Sequence, residues 1–132
     1  MERVTGIGGF FCTAKDPNAL NAWYAEHLGV VPPPETYDVS PWWQDAGPTV
    51  FAAFPPDSAD WGDWGPPDRP WRLNFRVRDL DAMVAQLRSA GIGVTVLDEV
   101  YPNGRFARLA DPEGNPLELW EPTPADLEPP TA

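Results

Sequence analysis

A block that reads strand, aspartate, helix, glycine occurs twice in this chain, and that repeat restricts the available folds more than any other feature. In "FFCTAKDPNALNAWYAEHLG", Asp16 can cap a helix and Pro17 suits the first helical position, where no amide donor is needed. Leu20, Trp23, Tyr24 and Leu28 then recur at helical spacing before Gly29. In "WRLNFRVRDLDAMVAQLRSAG", alternating Leu73, Phe75 and Val77 predict a strand and Asp79 caps the next helix. Leu80, Met83, Val84 and Leu87 form its apolar stripe and Gly91 closes it. Setting Asp16 over Asp79 aligns strand with strand and helix with helix.

Strand candidates follow each helix: "ETYDVSPWWQDAG" and "PTVFAAFPP" after the first, "GVTVLDEV", "GRFARLA" and "PLELWEP" after the second. Gly47 lies four residues before Phe51, as Gly114 lies four before Glu118, so the last strands of the two halves superpose. The chain therefore reads as α+β, with one domain over 1–122 built from two βαβββ modules, about 4–54 and 71–122. Residues 55–70 form the linker and 123–132 a mobile Pro-rich tail.

A length of 132 residues fits one domain. The net charge of −11 repels phosphate backbones and anionic bilayers, so neither nucleic acid nor membrane is an expected partner. No apolar run reaches the roughly 18–20 residues of a membrane span, and "MERVTGIGG" lacks the basic and then apolar regions of a secretory signal; a cytoplasmic location is expected. The single cysteine, Cys12, excludes an internal disulfide and a cysteine-based zinc cluster, and its apolar flanks place it in a buried strand.

Seven tryptophans are many for this length. Trp42, Trp43, Trp61 and Trp64 lie in Pro/Gly-rich loops, which suits a pocket wall or an interface. "DWGDWGPPDRP" adds hinge-capable glycines and Asp60, Asp63 and Asp68, leaving three roles open: a lid over a ligand, a dimer contact, or loop packing.

The two quoted blocks, together with the ending "GRFARLADPEGNPLELWEP", resemble the vicinal oxygen chelate superfamily over residues 4–122. That group includes glyoxalase I, the bleomycin-resistance proteins and extradiol dioxygenases. The resemblance implies paired βαβββ modules forming a cupped mixed sheet around a cavity, helices outside, and a homodimer. In metal-using members four side chains, His or Glu or another oxygen ligand, hold nickel, zinc, iron or manganese in that cavity.

Carried onto this chain, those positions fall on Gly9, Phe51 (Ala52 or Ala53 after a slip), Arg72 and Glu118. Only Glu118 can ligate a metal, and Arg72 brings a positive charge to the same place. Strand alternation puts Phe11 and Thr13 beside Gly9, Asn74 and Arg76 beside Arg72, Trp120 beside Glu118, and Ala53 beside Phe51. The expectation is a protein without a cofactor that binds a small organic molecule, aromatic or cationic, through Phe11, Phe51, Arg72, Asn74, Arg76, Glu118, Trp120, Trp42, Trp61 and Trp64. The alternative is a glyoxalase-like lyase or isomerase, or a dioxygenase-like enzyme, in which Glu118 and Arg72 are catalytic or a metal is held elsewhere. Arg72 and Glu118 either pair with each other or act on a ligand's oxygen atoms. His27, the lone histidine, lies on the first helix and so outside the cavity.

Overall fold

Both repeated aspartates cap helices in the structure, a computed structural model that describes residues 1–61 and 64–130. The Asp16 carboxylate accepts the Ala19 N–H (3.1 Å) at the head of α1 (Pro17–Leu28), which ends at Gly29 in the left-handed region (φ 71°). The Asp79 carboxylate accepts the Ala82 N–H (3.0 Å) at the head of α2 (Leu80–Ser89). Glu121 accepts the Leu80 N–H as well (2.9 Å), so two donors of the first turn have side-chain acceptors.

Four strands form one mixed sheet in the order β1-β4-β3-β2, namely β1 (Leu73–Arg76), β2 (Thr95–Val96), β3 (Gly104–Ala110) and β4 (Pro116–Pro122). β1 runs parallel to β4, the other pairs antiparallel. The second half is thus strand, helix, then three strands. A turn over "DPEGN" closes the β3–β4 hairpin, with the Gly114 N–H donating to the Asp111 carbonyl (2.9 Å) and Gly114 at φ 80°.

Alternation gives the sheet two different faces. Leu73, Phe75, Ala107, Leu109, Leu117 and Leu119 point to one, where Leu80, Val84 and Leu87 of α2 meet them, with Trp23, Tyr24 and Leu28 of α1 packed alongside. Each fully buried leucine contributes about 1.5–3 kcal/mol, whereas solvent screens the exposed Arg105–Asp81 ion pair. The helices therefore take one face and leave the other for loops and charges.

In the first half α1 forms as expected, but residues 4–14, 37–43 and 49–54 lie in no strand of this sheet. Val4, Phe11, Tyr37, Trp43 and Phe51 are exposed there. Cys12, expected in a buried strand, is exposed too, since its segment has no ladder partner to bury it against. At the other end, the tail begins with a 3-10 turn at Pro124–Leu127, and Thr123 donates its N–H to the Asn103 carbonyl (3.3 Å). Among the described residues no helix is long and apolar enough to cross a membrane.

The β3–β4 turn ties the two halves together. Buried Asp111 accepts from the Tyr24 hydroxyl (2.6 Å), from Asn115 Nδ2 (2.6 Å), and from the N–H groups of Glu113 (2.9 Å) and Asn115 (3.0 Å). Arg69 donates to the Asn115 side-chain oxygen. Burial, and then the bond to Asp111, raise the Tyr24 hydroxyl well above the ordinary tyrosine range. Glu113 in turn accepts the N–H groups of Lys15 (2.7 Å) and Asp16 (2.9 Å), just before α1.

Candidate functional site

The face without helices carries the polar groups. Register places Asn74 and Arg108 on either side of Glu118, and Thr95 beyond Arg108, in one row across four strands. Glu118 accepts Asn74 Nδ2 on Oε1 (2.9 Å) and Arg108 Nε on Oε2 (3.1 Å), and its side chain is only 16% exposed. Both carboxylate oxygens therefore have partners within the sheet.

One row over, Trp120 stacks on Phe106 (ring centroids 6.3 Å apart, planes at 4°) and donates its indole N–H to the Asn103 carbonyl (2.8 Å). Arg76 donates to the carbonyls of Pro48 (2.8 Å) and Asp45 (2.9 Å), anchoring the loop between them. Gly47 lies so close to that guanidinium that a side chain there would overlap it.

On the opposite flank the linker folds back onto the sheet. The Arg72 guanidinium lies 4.3 Å from the Trp61 ring centre and 5.3 Å from that of Trp64, and Arg108 lies 4.4 Å from the Trp64 ring. Trp61, Arg72, Trp64 and Arg108 thus alternate, each cation within reach of an aromatic ring. Phe54 meets the edge of Trp61 (5.6 Å), and Gly65 sits against Pro116.

Arg72 Nη1 donates to the carbonyls of Arg69 and Trp71 (2.9 Å each). Its Nε is buried without a hydrogen-bond partner among the described residues, as is Trp64 Nε1. Burial first, then the charges of Arg108 and Arg69, lower the Arg72 pKa, yet a guanidinium starts high enough to stay charged. Beside these groups is an open cavity of about 210 Å³ lined by Trp64, Gly65, Thr95, Arg108, Ala110 and Pro116.

Of the residues singled out from the sequence, Arg72, Asn74, Arg76, Glu118, Trp120, Trp61 and Trp64 come to this face. Phe11 and Phe51 are 92% and 90% exposed, Trp42 is partly exposed, and Gly9 lies against Phe11. Gly62 and Asp63 of the lid segment, and Thr131 and Ala132 of the tail, lie outside the described residues. His27 is on α1, its ring 5.5 Å from Trp23.

The pairing weighed for Arg72 and Glu118 is instead made by Arg108, which sequence reasoning missed. The hairpin carried the signal: Ala110 pairs with Pro116 across the turn, so counting back two residues on each strand sets Arg108 opposite Glu118. As for a divalent ion, Glu118 is the one carboxylate among the four family positions. Among the described residues no three His, Cys, Asp or Glu side chains gather to hold a metal.

Comparison with known proteins follows the same outline. The glyoxalase-like domain family matches residues 9–120. Over 55 residues the chain is 47% identical to biphenyl-2,3-diol 1,2-dioxygenase of Sphingomonas paucimobilis, covering 36% of this chain and 18% of that protein. Over 65 residues it is 42% identical to the uncharacterized protein YaeR of Escherichia coli K12, covering 42% and 50% respectively. The chain thus spans at most half the length of these curated relatives. Among solved structures, an antibiotic-binding protein from Streptomyces sp. CB03234 aligns with a TM-score of 0.57 at 20% identity, over 93% of this chain and 100% of that one. A glyoxylase/bleomycin resistance protein/dioxygenase domain from Frankia sp. EAN1pec aligns with a TM-score of 0.54 at 17% identity, over 92% and 100%. At such identities the likeness is one of fold.

Proposed function

The chain belongs to the glyoxalase-like domain family, and from that premise we propose that it binds a small organic molecule on the open face of its sheet, without a resident divalent metal. One observation carries this reading: both Glu118 oxygens are engaged, by Asn74 and by the Arg108 cation. A metal bound there would have to break both bonds and sit among arginines. The other three positions offer it a glycine, a phenylalanine and a further arginine, so the donor set does not fit a divalent ion. The same engagement makes Glu118 a weak candidate for a general base, because Asn74 and Arg108 already hold both of its oxygens and a substrate proton would have to displace one of them. Sharing a fold with a protein that binds an antibiotic is in keeping with ligand capture.

The test is metal content. After incubation with nickel, zinc, iron(II) and manganese and removal of the excess, elemental mass spectrometry should find far less than one ion per chain. An aromatic probe should quench tryptophan fluorescence equally with and without EDTA. Stoichiometric metal that Glu118→Ala removes would replace this reading with a metal-dependent lyase, isomerase or dioxygenase.

A second copy of the chain belongs to the same proposal. Residues 4–14 and 49–54 expose Val4, Phe11, Val50 and Phe51 and have no ladder partners among the described residues. Strand groups left in this state favour pairing with another chain, which would complete 4–54 as a second module and keep the two-module domain. Sedimentation should give twice the 14.6 kDa chain mass. A monomer at micromolar concentration would remove the dimer and leave the ligand reading in place.

A further inference from the structure

We infer that Trp64 holds the place of the ligand's ring: its indole covers the Arg108 guanidinium on the open face, and a flat aromatic molecule binds by taking that position from it. This rests on the small-molecule reading above and names the ligand's chemistry and the contact it replaces. The Arg108 guanidinium carbon lies 4.4 Å from the Trp64 ring centre, and both residues line the same cavity of about 210 Å³. A π face over a cation is what an aromatic ligand would itself bring to that guanidinium. The linker thus presents to Arg108 the group that the ligand would present.

The two partners are held unequally. Arg108 is fixed from within the sheet, since it lies in the middle of β3 and its Nε donates to Glu118 (3.1 Å), so it keeps its place whether or not Trp64 covers it. Trp64 comes from the linker, whose backbone bonds close on the linker itself: the Ser58 N–H donates to the Pro55 carbonyl, Trp61 to Ser58 and Arg69 to Pro66. That segment meets the sheet through side chains, Trp61 on Arg72 and Trp64 on Arg108, and through Gly65 against Pro116. A cation–π contact is weak beside a strand ladder, so Trp64 is the wall of the cavity that exchanges most readily.

Size points the same way. At about 210 Å³ the cavity falls below the roughly 300 Å³ at which pockets for drug-sized ligands begin. Thr95, Arg108, Ala110 and Pro116 on its wall belong to β2, β3 and β4 and cannot retreat without breaking the sheet. The withdrawal of Trp64 both enlarges the cavity and uncovers the cation, so an aromatic ring gains more from it than an aliphatic ring of equal size.

Calorimetric titration of the full chain with 2-naphthol and with its saturated analogue, decahydro-2-naphthol, tests this. The wild type should bind the aromatic form more tightly than the saturated one. Trp64→Ala should then bind 2-naphthol about three- to thirtyfold more tightly than the wild type, the range that a cation–π contact spans. Gly65→Ala drives a methyl group into Pro116 and so lifts the indole without deleting it; it should shift affinity in the same direction, and it decides alone if Trp64→Ala does not fold. Affinity that falls or stays the same in these variants would make Trp64 a lid or a bystander and overturn the inference, while sparing the small-molecule reading. Equal affinity of the wild type for the two probes would overturn it too. If neither probe binds wild type or variants at millimolar concentration, both fall.

Discussion

Asp111→Ala is expected to cost about 3–5 kcal/mol of folding stability, read as a lowered urea midpoint with an unchanged slope. The size follows from how many donors converge on one buried carboxylate: the Tyr24 hydroxyl, the Asn115 side chain and two backbone N–H groups. Removing the acceptor strands donors that water reaches poorly, at about 1–3 kcal/mol for each that stays buried. Tyr24→Phe removes one donor and leaves the acceptor, so it should cost only about 1 kcal/mol.

The pair also has a pH signature. Because the folded Tyr24 hydroxyl is raised, its stabilisation is complete below the unfolded tyrosine value of about 10 and declines as pH climbs above it, when only the unfolded chain gives up the proton. Wild type should therefore lose stability faster than Tyr24→Phe above pH of about 10. A cost below about 1 kcal/mol for Asp111→Ala would mean that the Glu113 contacts, the packing of α1 against the core and the Arg76 bonds hold the halves together without it.

Gly104→Ala is the second large effect, at about 2–4 kcal/mol. Gly104 opens β3 at φ 135°, and a Cβ there would overlap the Glu121 carbonyl oxygen and come within 2.9 Å of Trp120 Nε1. The backbone cannot yield without shifting the β3–β4 register, so the near-ultraviolet dichroism of Trp120 should change with the midpoint. Gly114 is the control. It is also left-handed, at φ 80°, but faces open space, so Gly114→Ala should cost only the conformational strain of about 1–2 kcal/mol. Equal losses at the two positions would show that strain, not the clash, sets the cost.

Legibility in the sequence tracks how local each cause is. Asp16, Asp79, Gly29 and Gly91 are helix signals complete within a few residues, and both helices form where they point. Parity was also readable: alternation groups Arg72, Asn74 and Arg76 on one strand and Glu118 and Trp120 on another, and the family resemblance sets both groups on one face. What it could not tell is which neighbour each side chain meets. Arg76 turns to carbonyls at 45 and 48, Arg72 to carbonyls at 69 and 71, and Arg108 takes Glu118. Those outcomes depend on how the 45–48 loop and the linker fold back. "PTVFAAFPP" illustrates the other limit, since apolar residues announce a strand while no strand among the described residues pairs with it.

Glu113 carries a consequence for how the molecule comes into being. The carboxylate that grips the entrance to α1 sits 97 positions after Asp16, so at roughly 5–20 residues per second the ribosome releases that helix about 5–20 s before its holdfast exists. A 12-residue helix is marginal on its own. The first of the two helices is therefore made before α2 and the sheet yet is among the last of these elements to set, and until Glu113 emerges Leu20, Trp23 and Tyr24 are in the keeping of whatever meets nascent chains.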